Sequence, residues 1–204
     1  MPNYDFEREI RAKGYTAVCG IDEAGRGPLA GNVVAAAVIL PDGLEIEGLN
    51  DSKKLSEKKR EALYRVITEK SIYAIAWATP QEIDELNILN ATMLAMRRAV
   101  DALSEKADFA LIDGNCSRGF SIPTQTVVGG DAKSMSIAAA SILAKVTRDH
   151  QCVAMAEQYP EYGFAGHKGY PTKAHMQKVA ELGPCPEHRR SFLGFLDKMK
   201  NEKD

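Results

Sequence analysis

The chain has 204 residues, of which 45% are hydrophobic and 26% charged, a composition typical of a folded globular protein and not of a disordered or low-complexity one. The longest apolar run, VVAAAVIL at 33–40, is shorter than the roughly 20 residues that span a bilayer, and the polar N-terminus does not have the pattern of a secretory signal. The net charge of -2 gives no general preference for nucleic acid. We therefore expect a cytoplasmic protein with no membrane contact.

Hydrophobic periodicity predicts five strands and several helices. The predicted strands cover 15–22, 33–40, 71–79, 109–114 and 124–131. The predicted helices end near residue 14, cover 56–70, follow a capping box at Thr79–Glu82, and cover 91–103 and 134–158. This order predicts an α/β fold with a mixed sheet, a hairpin between the first two strands and helices on both faces. We expect a single domain over 1–204, with its core at about 15–160 and a C-terminal helical segment at about 161–204.

Acidic residues recur where predicted strands end. Asp22 and Glu23 close the first strand, inside an otherwise apolar frame, and Asp113 and Asp131 stand at the ends of the fourth and fifth. Ligand sites in open α/β sheets lie beyond the strand ends, so these four acids could meet there. A single acid after a strand is also a common turn or cap residue, and this alternative stays open for Asp113 and Asp131 individually.

Four neighbouring carboxylates would repel one another unless a cation lay between them. Ligands that are all oxygen favour magnesium or manganese over zinc. Two such ions about 4 Å apart can activate a water molecule and stabilise the leaving oxygen of a phosphodiester. The pattern therefore indicates a divalent metal site, provided that the first strand bends or ends after Glu23, because adjacent strand residues face opposite ways.

The turn Gly25-Arg26-Gly27 follows these acids directly. Its spacing to Gly31 does not fit a dinucleotide-binding loop, and adjacent carboxylates would repel a pyrophosphate. Glycine lets backbone N–H and C=O groups approach a ligand closely, and Arg26 could contact phosphate. We interpret the turn as a backbone surface for sugar or phosphate.

Other residues have simpler interpretations. The four cysteines form no C-x-x-C pair and are expected to be free thiols. The basic run SKKLSEKKR at 52–60 is interpreted, by itself, as a solvated helix face. Ser134 and Ser136 with Lys145 suggest a helix cap and a helix surface more than a nucleophile. The spacing of His167, His175 and His188 fits no pair of metal ligands on a helix, so surface or capping roles are expected.

Several segments together resemble bacterial ribonuclease HII, from about residue 15 to about 192. They are GIDEAGRGPLAG (20–31), NDSKKLS (50–56), NILNATMLAM (87–96), LIDGN (111–115), GGDAKSMSIAAASILAKVTRD (129–149) and HKGYPTKAH (167–175). The resemblance implies a ribonuclease H-like fold: a central mixed five-stranded sheet, flanking helices and a small helical C-terminal part. It also implies metal-dependent endonucleolytic cleavage of the RNA strand in RNA–DNA hybrids, and nicking 5′ of single ribonucleotides in duplex DNA. The products would carry 3′-hydroxyl and 5′-phosphate ends, which suits ribonucleotide excision repair and DNA replication.

The resemblance also implies roles for individual residues. Two Mg²⁺ or Mn²⁺ ions would be held during catalysis by Asp22, Glu23, Asp113 and Asp131. The backbone of Gly25, Arg26 and Gly27 would read the ribose 2′-hydroxyl, Tyr170 would stack on the neighbouring sugar, and Lys53 would contact phosphate. Alone, Tyr170 could equally be a packed loop residue.

Three alternatives remain at this point. Ribonuclease HIII resembles this family but usually has lysine in place of Arg26 and glutamate in place of Asp131. Another nuclease or transposase-like domain could share the fold, or the chain could bind nucleic acid without cleaving it. Since no segment indicates an obligate interface, we expect a monomer.

Overall fold

The computed structural model describes residues 1–197, and no helix among them is long and apolar enough to cross a membrane. The strands are β1 (Val18–Ala24), β2 (Val33–Ile39), β3 (Ile72–Ala78), β4 (Phe109–Asp113) and β5 (Thr124–Val127). They form one sheet in the order β3-β2-β1-β4-β5. The pairs β1–β2 and β2–β3 are antiparallel, whereas β1–β4 and β4–β5 are parallel. The predicted mixed sheet and the hairpin between the first two strands are confirmed.

Seven helices lie wholly within the described part of the chain and surround this sheet. They are α1 (Asp5–Ala12), α2 (Glu57–Lys70), α3 (Pro80–Leu86), α4 (Ile88–Asp101), α5 (Met135–Gln158), α6 (Phe164–His167) and α7 (Lys173–Leu182). The capping box of α3 forms as predicted, because Thr79 and Glu82 each accept the other's backbone N–H through their side chains. Ser134 caps α5 by accepting the N–H of Ile137. Helix α4 begins earlier than predicted, because Asn87 accepts two N–H groups of its first turn.

The buried strand β2 has helices on both of its faces. Val33, Ala35 and Ala37 pack in the core shared with α4, whereas Ala36 and Val38 pack in the core shared with α5. Alternation of side chains along a strand produces this division. Alanine side chains are small, which lets a helix pack close to each face of the strand.

Helix α5 approaches the sheet very closely at Gly20 of β1. A Cβ atom built on Gly20 would lie 2.2 Å from the carbonyl carbon of Ser136 and 2.3 Å from the backbone nitrogen of Ile137. Any side chain there would collide with helix backbone, which cannot yield as a flexible side chain can. Glycine at this position therefore fixes α5 against β1, two residues before Asp22.

Two strand ends differ from the prediction. Strand β1 continues to Ala24, since β2 offers Val34 as its partner, so Asp22 and Glu23 lie within β1 and not after it. Strand β5 ends at Val127, and the chain turns through a left-handed Gly129 into a short 3₁₀ segment, Gly130–Ala132. Asp131 therefore belongs to this turn.

The described part of the predicted C-terminal helical segment contains the short helices α6 and α7. Its apolar residues, including Phe164 and Val179, pack against Leu29 and Ala30 of the β1–β2 loop. Three backbone hydrogen bonds join the same parts: the Leu29 N–H donates to the Gly169 carbonyl, the Gly31 N–H to the Glu187 carbonyl, and the Arg189 N–H to the Leu29 carbonyl, each at 2.8 Å. The C-terminal segment therefore holds the loop that follows the first two acids.

Candidate active site

Asp22 and Asp113 lie next to each other at the ends of two parallel strands. Gly20 pairs with Leu111 in the β1–β4 ladder, so the two acids occupy the next positions on the same face of the sheet. Asp113 is the last residue of β4, and its Oδ1 accepts the N–H of Gly130 at 2.6 Å. This hydrogen bond joins Asp113 to the turn that follows β5.

Glu23 is close to the same centre from the other side of β1. It pairs with Ala35 of β2, and the strand ends one residue later, at Ala24. Asp22 and Glu23 consequently line one cavity although they alternate along the strand. The Arg26 Nη1 atom lies 3.3 Å from Glu23 Oε1, which places a partly exposed cation beside this acid.

The acids of β1 are held in a crowded, buried environment. Burial raises the pKa of Asp22 well above its ordinary value, and the negative charges of Glu23 and Asp113 raise it further. Burial also raises the pKa of Glu23, although the positive charge of Arg26 opposes that shift. Negative charge is therefore unbalanced at this end of the sheet.

Asp131 faces Lys53 across the same region. Lys53 Nζ lies 3.6 Å from Asp131 Oδ2. Burial raises the pKa of Asp131, and the charges of Asp51 and Asp113 add to the effect. Burial would by itself lower the pKa of Lys53, but the surrounding carboxylates, Asp131 and Asp22 first, raise it overall. Lys53 thus compensates part of the negative charge.

The turn that carries Lys53 is held by an arginine from the basic run. Arg60 Nη1 donates to the carbonyl oxygens of Ser52 at 3.1 Å and Leu55 at 2.6 Å. The interpretation of residues 52–60 as a solvated helix face is therefore wrong for Arg60. Its guanidinium is partly buried because it replaces the backbone partners that an irregular turn lacks.

The four acids offer only oxygen donors, which suit Mg²⁺ or Mn²⁺. Among residues 1–197, however, no three His, Cys, Asp or Glu side chains are already arranged to hold a metal ion. Asp113 is engaged by the Gly130 amide and Asp131 by Lys53. The donor chemistry and the unbalanced charge fit a divalent cation, and the carboxylates must draw closer together to bind one.

A cavity of about 240 Å³ opens beside these acids. Its lining includes Asp22 and Glu23 but not Asp113 or Asp131, which lie beside it. Cationic side chains dominate the rest of its charged lining, and they are Arg26, Lys53, Lys145, Arg148 and Lys168. A cavity with acids at one place and several cations around them suits a phosphodiester that approaches a metal site.

The loop after β1 and the aromatic ring of Tyr170 form part of the same cavity. Gly25 has φ of 96°, and a Cβ there would lie 2.8 Å from the Asn32 carbonyl oxygen, so only glycine fits without strain. A Cβ on Gly27 would lie 3.4 Å from Cε1 of Tyr170. The tyrosine is nevertheless 48% exposed. The structure therefore brings the glycine turn and an open aromatic ring into contact.

Two buried guanidinium groups bind the carbonyl oxygens of this loop. Arg189 is fully buried and donates to the carbonyls of Gly25 (2.5 Å), Arg26 (3.0 Å), Pro28 (2.8 Å) and Gly31 (2.8 and 2.9 Å). Burial lowers the pKa of Arg189 to about 9, and a neighbouring guanidinium adds to the effect. Arginine still remains charged at neutral pH.

The neighbouring guanidinium is that of Arg148 on α5. It donates to the carbonyls of Ala30 at 2.7 Å and Asn32 at 3.0 Å, and also contacts the thiol of Cys152. Neither Arg148 nor Arg189 forms a salt bridge within the described residues. These two arginines therefore hold the loop through its carbonyl oxygens, and neither of them forms an ion pair with a carboxylate of the site.

Comparison with known proteins identifies the family. The family model for Ribonuclease HII matches residues 19–194. The chain belongs to the ribonuclease HII family. It is 53% identical to ribonuclease HII of Syntrophotalea carbinolica over 193 residues, covering 94% of this chain and 92% of that protein. It is 61% identical to ribonuclease HII of Dechloromonas aromatica over 176 residues, covering 86% and 90%.

Solved structures agree with this assignment. The crystal structure of ribonuclease H2 from Pyrococcus horikoshii superposes with a TM-score of 0.75 at 27% identity, covering 92% of this chain and 98% of that one. A Bst-RNase HIII structure in complex with Mn²⁺ has a TM-score of 0.69 at 17% identity, covering 92% and 70%, and shows the shared fold alone. The predicted ribonuclease H-like fold is confirmed. Membership of the ribonuclease HII family makes the chain a ribonuclease H, an endonuclease of a class that depends on divalent metal ions.

Two of the histidines that the sequence singled out do not have the expected surface or capping roles. His175 and His188 are buried, with 0% and 2% of their surface exposed, so the expected surface roles are wrong for both. His167 is partly buried: its Nε2 donates to the Tyr162 carbonyl and its Nδ1 accepts the N–H of Gly169. Its ring stacks on His175 with centroids 4.2 Å apart.

The hydrogen bonds leave one tautomer for each buried ring. His175 Nδ1 donates to the carbonyl oxygen of Tyr170 at 2.9 Å, so Nε2 of the neutral ring is an acceptor. His188 Nε2, 3.1 Å away, must then be the donor. His188 Nδ1 accepts the N–H of Cys185 at 3.0 Å. Burial lowers the pKa of His175 and lowers that of His188 to about 4, consistent with a neutral chain that ends on the Tyr170 backbone.

Sequence reasoning selected the acids, the glycine turn, Lys53 and Tyr170, and the structure brings all of them to one end of the sheet. The sequence reasoning did not identify Arg148 and Arg189 as functional residues, nor Lys145 and Lys168 in the cavity lining. Lys145 had a usable signal, because Asp149 follows four residues later on α5 and pairs with it at 2.7 Å. Arg189 had none, because its partners are carbonyl groups about 160 positions away.

Proposed function

We propose that this chain hydrolyses the phosphodiester on the 5′ side of a ribonucleotide, both in RNA–DNA hybrids and at single ribonucleotides in duplex DNA. The products would carry 3′-hydroxyl and 5′-phosphate ends. The observation that carries the proposal is the meeting of Asp22, Glu23 and Asp113 beside a cation-lined cavity that also contains the Gly25–Gly27 turn and Tyr170. In the cell this activity would serve ribonucleotide excision repair and replication in the cytoplasm, with the chain acting as a monomer.

In the proposed site, Asp22, Glu23, Asp113 and Asp131 hold two divalent ions, Mg²⁺ or Mn²⁺. When bound, these ions supply an activated water and stabilise the leaving oxygen. The raised pKa values of Asp22, Glu23 and Asp131 support this role, because burial first, and the charges of neighbouring acids after it, disfavour their ionised forms, and a bound cation would offset that cost. Asp113 can accept the Gly130 N–H at Oδ1 and offer its second oxygen to the metal, whereas Asp131 would give up its contact with Lys53.

The residues around the acids bind and orient the nucleic acid. Lys53 is 81% exposed in its side chain and reaches the acids from the solvent side, so its ammonium group can contact a phosphate oxygen. Arg26 can do the same after leaving Glu23. Tyr170 offers an open ring on which the sugar beside the ribonucleotide can stack.

Discrimination between RNA and DNA falls to the backbone of Gly25, Arg26 and Gly27. The 2′-hydroxyl both donates and accepts hydrogen bonds, and it is the group that distinguishes the two sugars. The absence of a side chain at Gly27 leaves the space between the turn and the Tyr170 ring open to a ribose. Recognition through backbone and shape also explains why a chain with net charge -2 can bind a polyanion on one face.

A nicking assay tests the proposal. A labelled duplex with one ribonucleotide should be cut on its 5′ side when Mg²⁺ or Mn²⁺ is present, and an all-DNA duplex should stay intact. Asp22→Asn should lower the cleavage rate by at least about 100-fold, since even partners of metal ligands cost 10–100-fold when removed. Asp101→Asn, which removes an exposed charge on α4, is the matched control and should cut normally. Binding of the duplex with no metal-dependent nick would instead indicate a module without catalysis.

A further inference from the structure

All the hydrogen bonds that the Arg189 side chain donates go to one loop, and its guanidinium also lies over the ring of Phe192. Its three nitrogen atoms donate to the carbonyl oxygens of Gly25, Arg26, Pro28 and Gly31. It is fully buried, although arginine is among the residues that are most costly to bury. Apolar side chains alone could have packed the C-terminal segment against the loop. The presence of a buried guanidinium therefore needs an explanation in the structure of the loop itself.

Peptide geometry gives that reason. In a trans peptide the C=O of one residue and the N–H of the next point in opposite directions, and no peptide bond in the described residues is cis. Because the carbonyls of Gly25 and Arg26 point at Arg189, the N–H groups of Arg26 and Gly27 point away from it. Neither N–H finds an acceptor within the described residues, and both residues line the cavity.

We propose that Arg189 is a positioning residue for substrate recognition: it turns the N–H groups of Arg26 and Gly27 into the cavity, where they bind the ribose 2′-oxygen. The inference rests on the proposed function, in which this turn reads the sugar. To that function it adds the orientation of the two backbone donors, which it assigns to a residue about 160 positions away in the chain.

Orientation of the two peptide groups by Arg189 can be distinguished from a general role in attaching the loop to the C-terminal segment. Arg148 holds the other end of the loop, at Ala30 and Asn32, and the apolar cluster of Leu29 and Val179 packs the loop on the C-terminal segment. The carbonyls of Gly25 and Arg26, in contrast, have Arg189 as their side-chain partner. Loss of Arg189 should therefore disturb the direction of these two peptides more than the attachment of the loop.

Arg189→Lys tests this role because it keeps the charge but replaces three donor nitrogens by one. We expect its KM for a duplex with one ribonucleotide to rise about tenfold, with kcat changed less than about threefold, as for the loss of one to two hydrogen bonds to substrate. Its affinity for an all-DNA duplex should not change. The control is Val179→Ala, which loosens the same segment by removing buried methyl groups and leaves every guanidinium contact in place.

Two results would overturn the inference. One is a KM of Arg189→Lys within twofold of wild type; the other is an equal rise in Val179→Ala at an equal loss of melting temperature. In either case wild-type nicking still stands, so the proposed function survives. If the wild type itself fails to nick, the proposed function falls first.

Hydrogen exchange on the wild-type protein tests whether the two amides are available to a sugar, as the inference requires, even if Arg189→Lys does not fold. The amides of Arg26 and Gly27 should exchange quickly in the free protein and slowly with the ribonucleotide-containing duplex, but not with the all-DNA duplex. Slow exchange of both amides in the free protein, as slow as for the strand amides of β1, would mean that they already have partners and are not available to a sugar.

Discussion

Acid should destabilise this protein through the buried histidine chain, and His188 provides the clearest measure of it. Its ring is 2% exposed, and its pKa is lowered from 6.5 to about 4 by burial first and by His175 next. Between these two pH values the unfolded chain binds a proton at position 188 that the folded protein does not. The stability contributed by the neutral ring is therefore complete above pH 6.5 and is lost as the pH falls toward 4.

The size of the effect follows from these two pKa values. At pH 5 the unfolded His188 is almost fully protonated and the folded one is not, which costs about 2 kcal/mol of unfolding free energy relative to pH 8. Little of this is screened by solvent, because the ring is buried. A proton added to Nδ1 of His188 would face the N–H of Cys185, so two donors would meet there. A proton added to Nε2 of His175 would face the donor Nε2 of His188 in the same way.

Urea unfolding at pH 8 and at pH 5, in the presence of a chelator, measures this loss. Other groups titrate too, and the raised pKa values of the acids shift stability in the opposite direction, so the test is a difference between proteins. His188→Gln should lose about 2 kcal/mol less than wild type between the two pH values. His150→Gln, at a side chain that is 58% exposed, should behave as wild type does. If wild type and His188→Gln lose the same unfolding free energy between the two pH values, the inference that the buried His188 ring stays neutral in the folded protein is wrong.

Three further predictions concern the sheet and the site. Gly20→Ala should lower the unfolding free energy by about 3 kcal/mol, because its Cβ would meet the backbone of α5, while Gly194→Ala, in open space, should be nearly neutral in the same urea titration. Asp22→Asn should keep or raise the urea midpoint in metal-free buffer, since it removes a buried charge that two acids repel; a marked fall would contradict the crowding. Tyr170→Ala should slow nicking at a lone ribonucleotide about tenfold, the worth of one stacking contact, whereas Tyr170→Phe should retain most of the rate; equal rates for all three proteins would exclude stacking.

The fold was predictable because its signals are local. The apolar run of β2 fills cores on both of its faces, and the Thr79 capping box starts α3 where the pattern indicated. The errors lie where a partner decides the boundary. Ala24 extends β1 because Val34 of β2 is available to pair with it, and Asn87 starts α4 from an uncommon positive φ of 67°. Neither condition can be read from a short window of sequence.

The candidate site was predictable to the extent that its residues carry the chemistry themselves. Acids at strand ends follow from the topology, because β1, β4 and β5 are parallel and present the same ends. The supporting residues were not predictable, because their partners are main-chain atoms, which every sequence has. His188 illustrates this: the prediction of a surface or capping role was wrong, because the ring is buried and is held by His175 and by the backbone N–H of Cys185, which no motif signals.

Three arginines around the site bind mainly carbonyl oxygens and none of its four acids, and this choice of partner affects how the acids could bind a metal ion. An arginine paired with Asp22 or Asp113 would balance the acids in the free protein, but it would have to be displaced before a cation could bind. In the structure, Arg60, Arg148 and Arg189 instead donate mainly to carbonyl oxygens. A carbonyl oxygen carries a partial negative charge but is not an ionisable group. These buried cations still favour ionised carboxylates at a distance, while the acids keep their oxygen atoms for other partners. Support through carbonyl groups thus preserves the unbalanced negative charge on which the proposed metal binding depends.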